Sequence, residues 1–152
     1  SVSQCMHCVD VNVLVYAHRP ESPRHDEYRD WLDGARRGNE PLGLSDLVTS
    51  GFLRVVTHPR IFREPTPFGV AIEFVDALRV SPATTSVIAG ERHWEIFLDL
   101  CRRVGANGNL IPDAFLAALA IEHGARWVTA DRGFARFPGL RLVHPLDHTE
   151  GK

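Results

Sequence analysis

The sequence is poor in lysine and has no long apolar run. Lys152 is its only lysine, so arginine supplies nearly all of the positive charge. No apolar run approaches the roughly 18 residues that a membrane-spanning helix needs, and no basic-then-apolar secretory leader opens the chain. These absences argue against a membrane protein and predict a cytoplasmic one.

Cysteine is also scarce. The chain has three cysteines, an odd number that fits poorly with a disulfide framework. Cys5 and Cys8 have the spacing of half a zinc site, but no second Cys/His pair with matching spacing follows. Cys101 lies in a helical pattern and is typical of a small core residue. We therefore expect neither disulfides nor structural zinc.

The charge balance limits the kind of partner. The net charge is −2 and the isoelectric point about 6.4, whereas proteins that hold nucleic acid by bulk charge are normally basic. A local stripe of arginine beside an acidic pocket is still compatible with this balance. The arginine bias has a second explanation, a GC-rich genome, so arginine content alone decides nothing.

Length and periodicity predict one α/β domain. A chain of 152 residues that is 44% hydrophobic and 24% charged has the size and composition of one globular unit. We place that domain at residues 6–146, with flexible ends at 1–5 and 147–152. Apolar runs typical of strands alternate with helical patterns, and the runs lie at residues 7–9, 42–44, 85–88, 126–129 and 140–143. The alternation predicts right-handed crossovers and a three-layer α/β/α sandwich with a mostly parallel central sheet.

The same patterns predict where the first helix begins and which tryptophans are buried. Asn12, a good N-cap type, is expected to begin the first helix. All three tryptophans, Trp31, Trp94 and Trp127, fall at positions that the helical and strand patterns assign to the core.

Three aspartates stand where these elements begin or end. Asp10 ends the first strand, Asp131 lies just beyond the strand at 126–129, and Asp113 lies in the first turn of a helix predicted at 112–123. A turn or cap role would explain each one alone. Because ligands gather at the carboxyl ends of parallel strands, we expect Asp10 and Asp131 to share a site there.

Clustered carboxylates imply a cation. Carboxylates brought together repel one another, and a bound cation relieves the repulsion. Oxygen ligands suit Mg²⁺ or Mn²⁺, which lowers the pKa of bound water and offsets charge on a phosphodiester. The chain has no G-x-S-x-G elbow and no phosphate-binding P-loop. We predict a metal site of Asp10, Asp113 and Asp131, with Thr129 hydrogen-bonding a neighbouring carboxylate or a metal water.

Three strings resemble the motifs of PIN domains. V-D-V-N-V-L at 9–14 resembles their opening D-x-N motif, the run at 113–120 resembles their third acidic motif, and T-A-D-R-G-F at 129–134 is similar to T-x-D-x-x-F. Their order and spacing agree over essentially the whole of 6–146. The strongest resemblance is to VapC-type toxins of the mycobacterial kind, through F-L-R-V-V-T-H-P at 52–59 and F-A-R-F at 134–137.

This resemblance implies a function. PIN-type toxins are divalent-metal endoribonucleases, usually dimeric, that a VapB-type antitoxin inhibits, so we expect a homodimer that cuts structured RNA such as tRNA or rRNA. The match assigns Asp10, Asp113 and Asp131 to the metal and makes Asn12 a support for Asp10. The alternative is a binding module that keeps the fold with weakened chemistry. A flap nuclease would need extra elements, and a phosphatase a D-x-D nucleophile that is absent.

The second motif departs from the family pattern. Where the family commonly has a glutamate, just before F-L-R, this chain has Gly51. Asp46 is the nearest acid and the candidate for a fourth ligand; the alternative is that it and Ser45 serve the start of that helix. Without a substitute, the site would hold metal more weakly or would hold one ion well.

Three arginines lie near the same motif. Arg54, Arg60 and Arg63 are candidates to contact RNA phosphates.

Overall fold

The computed structural model describes residues 5–147. The ends predicted to be flexible, 1–5 and 147–152, fall almost entirely outside these residues, and the domain limits stay a prediction. No helix of the described part is long and apolar enough to cross a membrane. The three cysteines are free thiols.

Five short parallel strands form one sheet in the order β3-β2-β1-β4-β5. The strands are β1 (His7–Val9), β2 (Leu42–Leu44), β3 (Thr84–Ser86), β4 (Arg126–Val128) and β5 (Arg141–Val143). Each pairs in parallel with its neighbour, and β1 lies at the centre between β2 and β4. The predicted parallel α/β architecture is confirmed, and each strand lies within two residues of its expected position.

Six helices connect these strands. They are α1 (Val11–His18), α2 (His25–Arg37), α3 (Asp46–Val56), α4 (Phe68–Arg79), α5 (His93–Val104) and α6 (Leu110–Glu122), and a 3₁₀ helix, Arg132–Arg136, links β4 to β5. Packing is close at Gly43 of β2, where a Cβ would come within 2.8 Å of Cys8 Sγ and Val87 Cγ2. Only glycine fits a backbone this close to its neighbours.

The short connection from α6 to β4 determines at which edge of the sheet the first turn of α6 lies. Only three residues separate its end at Glu122 from β4, and Gly124 makes the turn with a φ of 62°. The carboxyl end of α6 is therefore beside the start of β4, so its amino end reaches the opposite edge of the sheet. Small side chains on α6, among them the fully buried Ala114, Ala117 and Ala118, allow it to pack closely.

Two sequence expectations are wrong. Asp10, not Asn12, is the N-cap of α1. Trp94 is 61% exposed, whereas Trp127 is 2% exposed. In α5 the buried stripe consists of His93, Phe97 and Leu100, which places Trp94 on the solvent side.

Candidate metal centre

Asp10 is held at the carboxyl end of β1 by three short hydrogen bonds. Its backbone N–H donates to the Val128 carbonyl at 2.9 Å, which continues the pairing of β1 with β4. Its Oδ1 accepts the Val11 N–H at 2.7 Å, and its Oδ2 accepts the Thr129 hydroxyl at 2.7 Å. The side chain therefore serves as helix cap and strand bridge at once, although it is only 6% exposed.

Asn12 and Thr129 extend this network to the next strand end. The Asn12 amide donates to Thr129 Oγ1 at 3.1 Å, and its carbonyl oxygen accepts the Ala130 N–H at 3.1 Å. Thr129 Oγ1 also accepts the Asp131 N–H at 3.0 Å. Asn12 lies 3.5 Å from Asp10 Oδ2, so it supports Asp10 mainly through Thr129. The loop that carries Asp131 is tied to Asp10 by this network.

Asp113 and Asp131 complete the constellation. Asp131 follows β4, and its Oδ1 accepts the Gly133 N–H at 2.8 Å and caps the 3₁₀ helix. Asp113 lies in the first turn of α6. Together with Asp10 they line one open cleft of about 400 Å³. The structure thus brings together three carboxylates that are widely separated in the sequence.

The electrostatics of the cleft are unfavourable for carboxylates alone. Burial raises the pKa of Asp10 to about 6, and the nearby Asp113 and Asp131 add to the rise, while the bonds from Thr129 and Val11 oppose it. Burial also raises the pKa of Asp113, as does the charge of Asp131, against a lowering effect of Arg136. Within residues 5–147 none of the three carboxylates has an ion-pair partner. A bound cation would relieve the repulsion between the three carboxylates.

The carboxylates do not form a closed cage. In the described part of the chain, no three His, Cys, Asp or Glu side chains lie close enough together to enclose a metal ion. The donor set is nevertheless all oxygen and faces an open cleft, which suits a hard divalent cation that keeps several waters. The residues present therefore fit Mg²⁺ or Mn²⁺ better than a structural metal.

Most of the remaining lining of the cleft is apolar or aromatic, here called the apolar wall, and sequence reasoning missed it. It is formed by Val11, Val15, Tyr16, Val55, Ile61, Phe62 and Phe134. Phe62 is fixed by the Arg19 guanidinium, which lies 4.1 Å from its ring centroid. The adjacent apolar residues Ile61 and Phe62, which lie outside the helices and strands, are the sequence signal that could have located this part of the cleft.

A family model described as the PIN domain matches residues 7–140. This chain belongs to the PIN-domain family. Among its relatives, Ribonuclease VapC43 of Mycobacterium tuberculosis is 55% identical over 142 residues, which cover 93% of this chain and 97% of the relative. Ribonuclease VapC25 of the same species is 41% identical over 140 residues, covering 92% and 99%. The resemblance to mycobacterial VapC proteins is confirmed.

Solved structures with the same fold have low sequence identity. The VapBC2 structure from Rickettsia felis, bound to a promoter DNA fragment, aligns at a TM-score of 0.67 with 20% identity and covers 91% of this chain and 97% of that one. Mycobacterium tuberculosis VapC20, described as a sarcin-ricin loop cleaving toxin, aligns at 0.61 with 15% identity, covering 89% and 98%. These likenesses establish the PIN fold.

In this PIN domain Gly51, at the position of the usual glutamate, packs against a residue that lines the cleft. A Cβ at Gly51 would come within 2.9 Å of Val11 Cγ2, and Val11 lines the cleft beside Asp10. The side chain of Val11 therefore occupies the space into which a longer residue at 51 would extend.

Asp46 does not replace that glutamate. Ser45 caps α3 by accepting the Val48 N–H at 3.2 Å, which puts Asp46 in the exposed first turn. Its carboxylate is 96% exposed, pairs with Arg79 at 3.3 Å and does not line the cleft. The prediction that Asp46 is a fourth ligand is corrected: its carboxylate faces solvent.

The arginines of the second motif lie next to the apolar wall. Arg54, Arg60 and Arg63 are exposed and alternate along the chain with the wall residues Val55, Ile61 and Phe62. Their guanidinium groups make no hydrogen bond or ion pair within residues 5–147. Their role in binding phosphate stays a prediction.

Proposed function

We propose that this PIN domain is a VapC-type toxin, an Mg²⁺- or Mn²⁺-dependent endoribonuclease. The observation that carries the proposal is the set of three carboxylates, Asp10, Asp113 and Asp131, that line one cleft without a basic partner. Relatives that are 55% and 41% identical over nearly their whole length are named ribonucleases, which supports the same activity here.

Each residue of the network has a distinct task. Asp10, Asp113 and Asp131 hold the cation. Thr129 and the Val11 N–H fix the Asp10 carboxylate so that it needs no rearrangement to bind. A cation held there would supply an activated water and would offset negative charge on the phosphodiester. The apolar wall lowers the polarity of the cleft beside the carboxylates.

The proposed substrate is structured RNA, either tRNA or rRNA. Exposed arginines along the cleft rim supply positive charge that the acidic metal site lacks. A structural neighbour described as cleaving the sarcin-ricin loop supports rRNA as one source. We place the protein in the cytoplasm, where such RNA is found.

The proposed partner is a VapB-type antitoxin, and the proposed assembly contains a homodimer. Solved VapBC complexes from Rickettsia felis and Haemophilus influenzae align with this chain over more than 90% of its length, which supports the pairing. Co-expression with the cognate antitoxin is therefore expected to relieve any growth arrest that the chain causes.

Replacement of Asp10 by asparagine tests the proposal. Asp10→Asn keeps the cap acceptor for Val11 but removes a charged ligand. We expect Mn²⁺-dependent cleavage and growth arrest to fall by at least about a hundredfold, with new RNA 5′ ends lost from sequencing of induced cells. Asp46→Asn is the matched control, since Asp46 is exposed and paired with Arg79; it should behave as wild type. Full cleavage by Asp10→Asn refutes the metal assignment.

A second measurement separates the enzyme from a binding module. Isothermal titration with Mn²⁺ should show binding to the wild type that Asp10→Asn weakens. Wild-type protein that neither binds Mn²⁺ nor cuts any RNA pool would instead be a PIN-fold binding module.

A further inference from the structure

Arg136 lies near two of the three carboxylates, Asp113 and Asp131. It ends the 3₁₀ helix that Asp131 begins. Its Nε donates to the Gly133 carbonyl at 2.8 Å, which fixes the side chain along this helix. A Cβ built on Gly133 would lie 3.2 Å from Arg136 Nη2 and 2.9 Å from Asp131 Oδ1. The guanidinium and the Asp131 carboxylate are therefore neighbours across one glycine.

Arg136 is close to the carboxylates but is not neutralised by them. Its charge is felt at Asp113, yet within residues 5–147 no carboxylate lies within ion-pair distance of its nitrogens. Arg132, at the other end of the same helix, differs: it pairs with Asp147 at 3.4 Å. The fixed Nε of Arg136 leaves its terminal nitrogens free, in the planar fork that matches phosphate oxygens.

The acidic cleft needs such a group. Three carboxylates repel a phosphodiester, and a single divalent cation leaves their net charge negative. A guanidinium beside Asp131 would attract the phosphate to the edge of the metal site without occupying the metal position. Glycine at 133 suits this arrangement, because a Cβ there would crowd Asp131 Oδ1 and lie close to Arg136 Nη2.

We propose that Arg136 binds a phosphate of the RNA substrate beside the metal, at the side of the cleft formed by Asp113 and Asp131. This inference rests on the proposed ribonuclease function and adds a substrate-binding residue to it. A positive charge at this position favours the phosphate and opposes the metal ion. Removal of Arg136 should therefore affect the two ligands in opposite directions.

The experiment compares Arg136→Ala, Arg136→Lys and Arg132→Ala with wild type. Cleavage of unfractionated tRNA and of ribosomes is followed with Mn²⁺, and Mn²⁺ affinity is measured by isothermal titration without RNA. For Arg136→Ala we expect kcat/KM to fall about tenfold or more, while Mn²⁺ binds at least as tightly as to wild type. Arg136→Lys should recover part of the loss, and Arg132→Ala should match wild type in both measurements.

The outcomes separate this inference from the function on which it rests. Wild type that binds no Mn²⁺ and cuts no RNA would overturn both. Active wild type with an equally active Arg136→Ala overturns the role of Arg136 alone. An Arg136→Ala variant that loses cleavage and Mn²⁺ affinity together overturns it too, since that pattern means that Arg136 merely supports the Asp131 loop. An equal loss of cleavage in Arg132→Ala would indicate that only the total positive charge matters. That result would also contradict a specific role for Arg136.

Discussion

Thr129 donates its hydroxyl hydrogen to Asp10 Oδ2 at 2.7 Å, and the two residues are 119 positions apart in the sequence. The same hydroxyl oxygen accepts the Asp131 N–H at 3.0 Å and an Asn12 amide hydrogen at 3.1 Å. One buried side chain thus connects the carboxyl ends of β1 and β4 and orients two of the three proposed metal ligands.

Thr129→Val should damage stability and metal binding together. Valine keeps the shape but leaves a buried carboxylate oxygen and a backbone N–H without their partner, at a cost of about 1–3 kcal/mol in unfolding free energy. Loss of the hydroxyl should also raise the pKa of Asp10 further, so Mn²⁺ binding near pH 7 should weaken. Urea unfolding and isothermal titration measure the two effects.

Thr49→Val is the control for this prediction. Thr49 is also a buried threonine, but its hydroxyl donates to the Ser45 carbonyl within α3. It should change stability modestly and leave Mn²⁺ affinity unaltered. Equal Mn²⁺ affinities in Thr129→Val and wild type would show that the hydroxyl does not organise the ligands.

Sequence patterns located the sheet and the cluster but not their local connections. Asp10 and Asp131 were predictable because apolar runs mark strand ends and parallel strands end at one edge. The N-cap of α1 was not predictable, because Asp and Asn are equally good cap types. Asp10 is held in the cap position by Thr129, which lies 119 residues away in the sequence and so outside any local pattern. Trp94 was misplaced because the buried face of α5 begins with His93, whose Nε2 lies 3.0 Å from the Phe115 carbonyl oxygen. Arg136 was not predicted as a site residue, because its position beside Asp131 depends on how the chain turns at Gly133.

The stability of the metal-free protein should decrease between about pH 4 and pH 6. Asp10 has its pKa raised from 3.8 to about 6 by burial, so the folded state holds a proton that the unfolded chain has already lost. This contribution is fully present below the unfolded pKa and disappears as the pH rises through the folded one. Its size is about 2–3 kcal/mol, and Asp113 adds in the same direction.

Denaturant titrations in EDTA at several pH values, with wild type and Asp10→Asn, measure this contribution. The variant lacks the titrating group, so its unfolding free energy should exceed that of wild type at pH 7.5 and converge with it near pH 4. Added Mn²⁺ should raise the stability of wild type only. Parallel pH curves for the two proteins would show that Asp10 carries no such penalty.

The close approach of Gly51 to Val11 predicts how a glutamate could be introduced at position 51. Gly51→Glu alone should destabilise the protein without strengthening metal binding, because its Cβ would lie 2.9 Å from Val11 Cγ2. Val11→Ala removes that methyl group, so a glutamate in the double variant can extend toward the cleft and add a fourth carboxylate.

We expect Mn²⁺ to bind the double variant several-fold more tightly than Val11→Ala, with a coupling in stability of about 1 kcal/mol or more between the two sites. Gly34→Glu is the control, because Gly34 also lies inside a helix but has no atom within 4 Å of its Cβ position; it should leave Mn²⁺ affinity unchanged. Additive effects of Gly51→Glu and Val11→Ala on both stability and metal affinity would mean that Val11 does not block the position. Strict coupling would mean that the Val11 side chain is what prevents an acid at position 51 from adding to the three carboxylates.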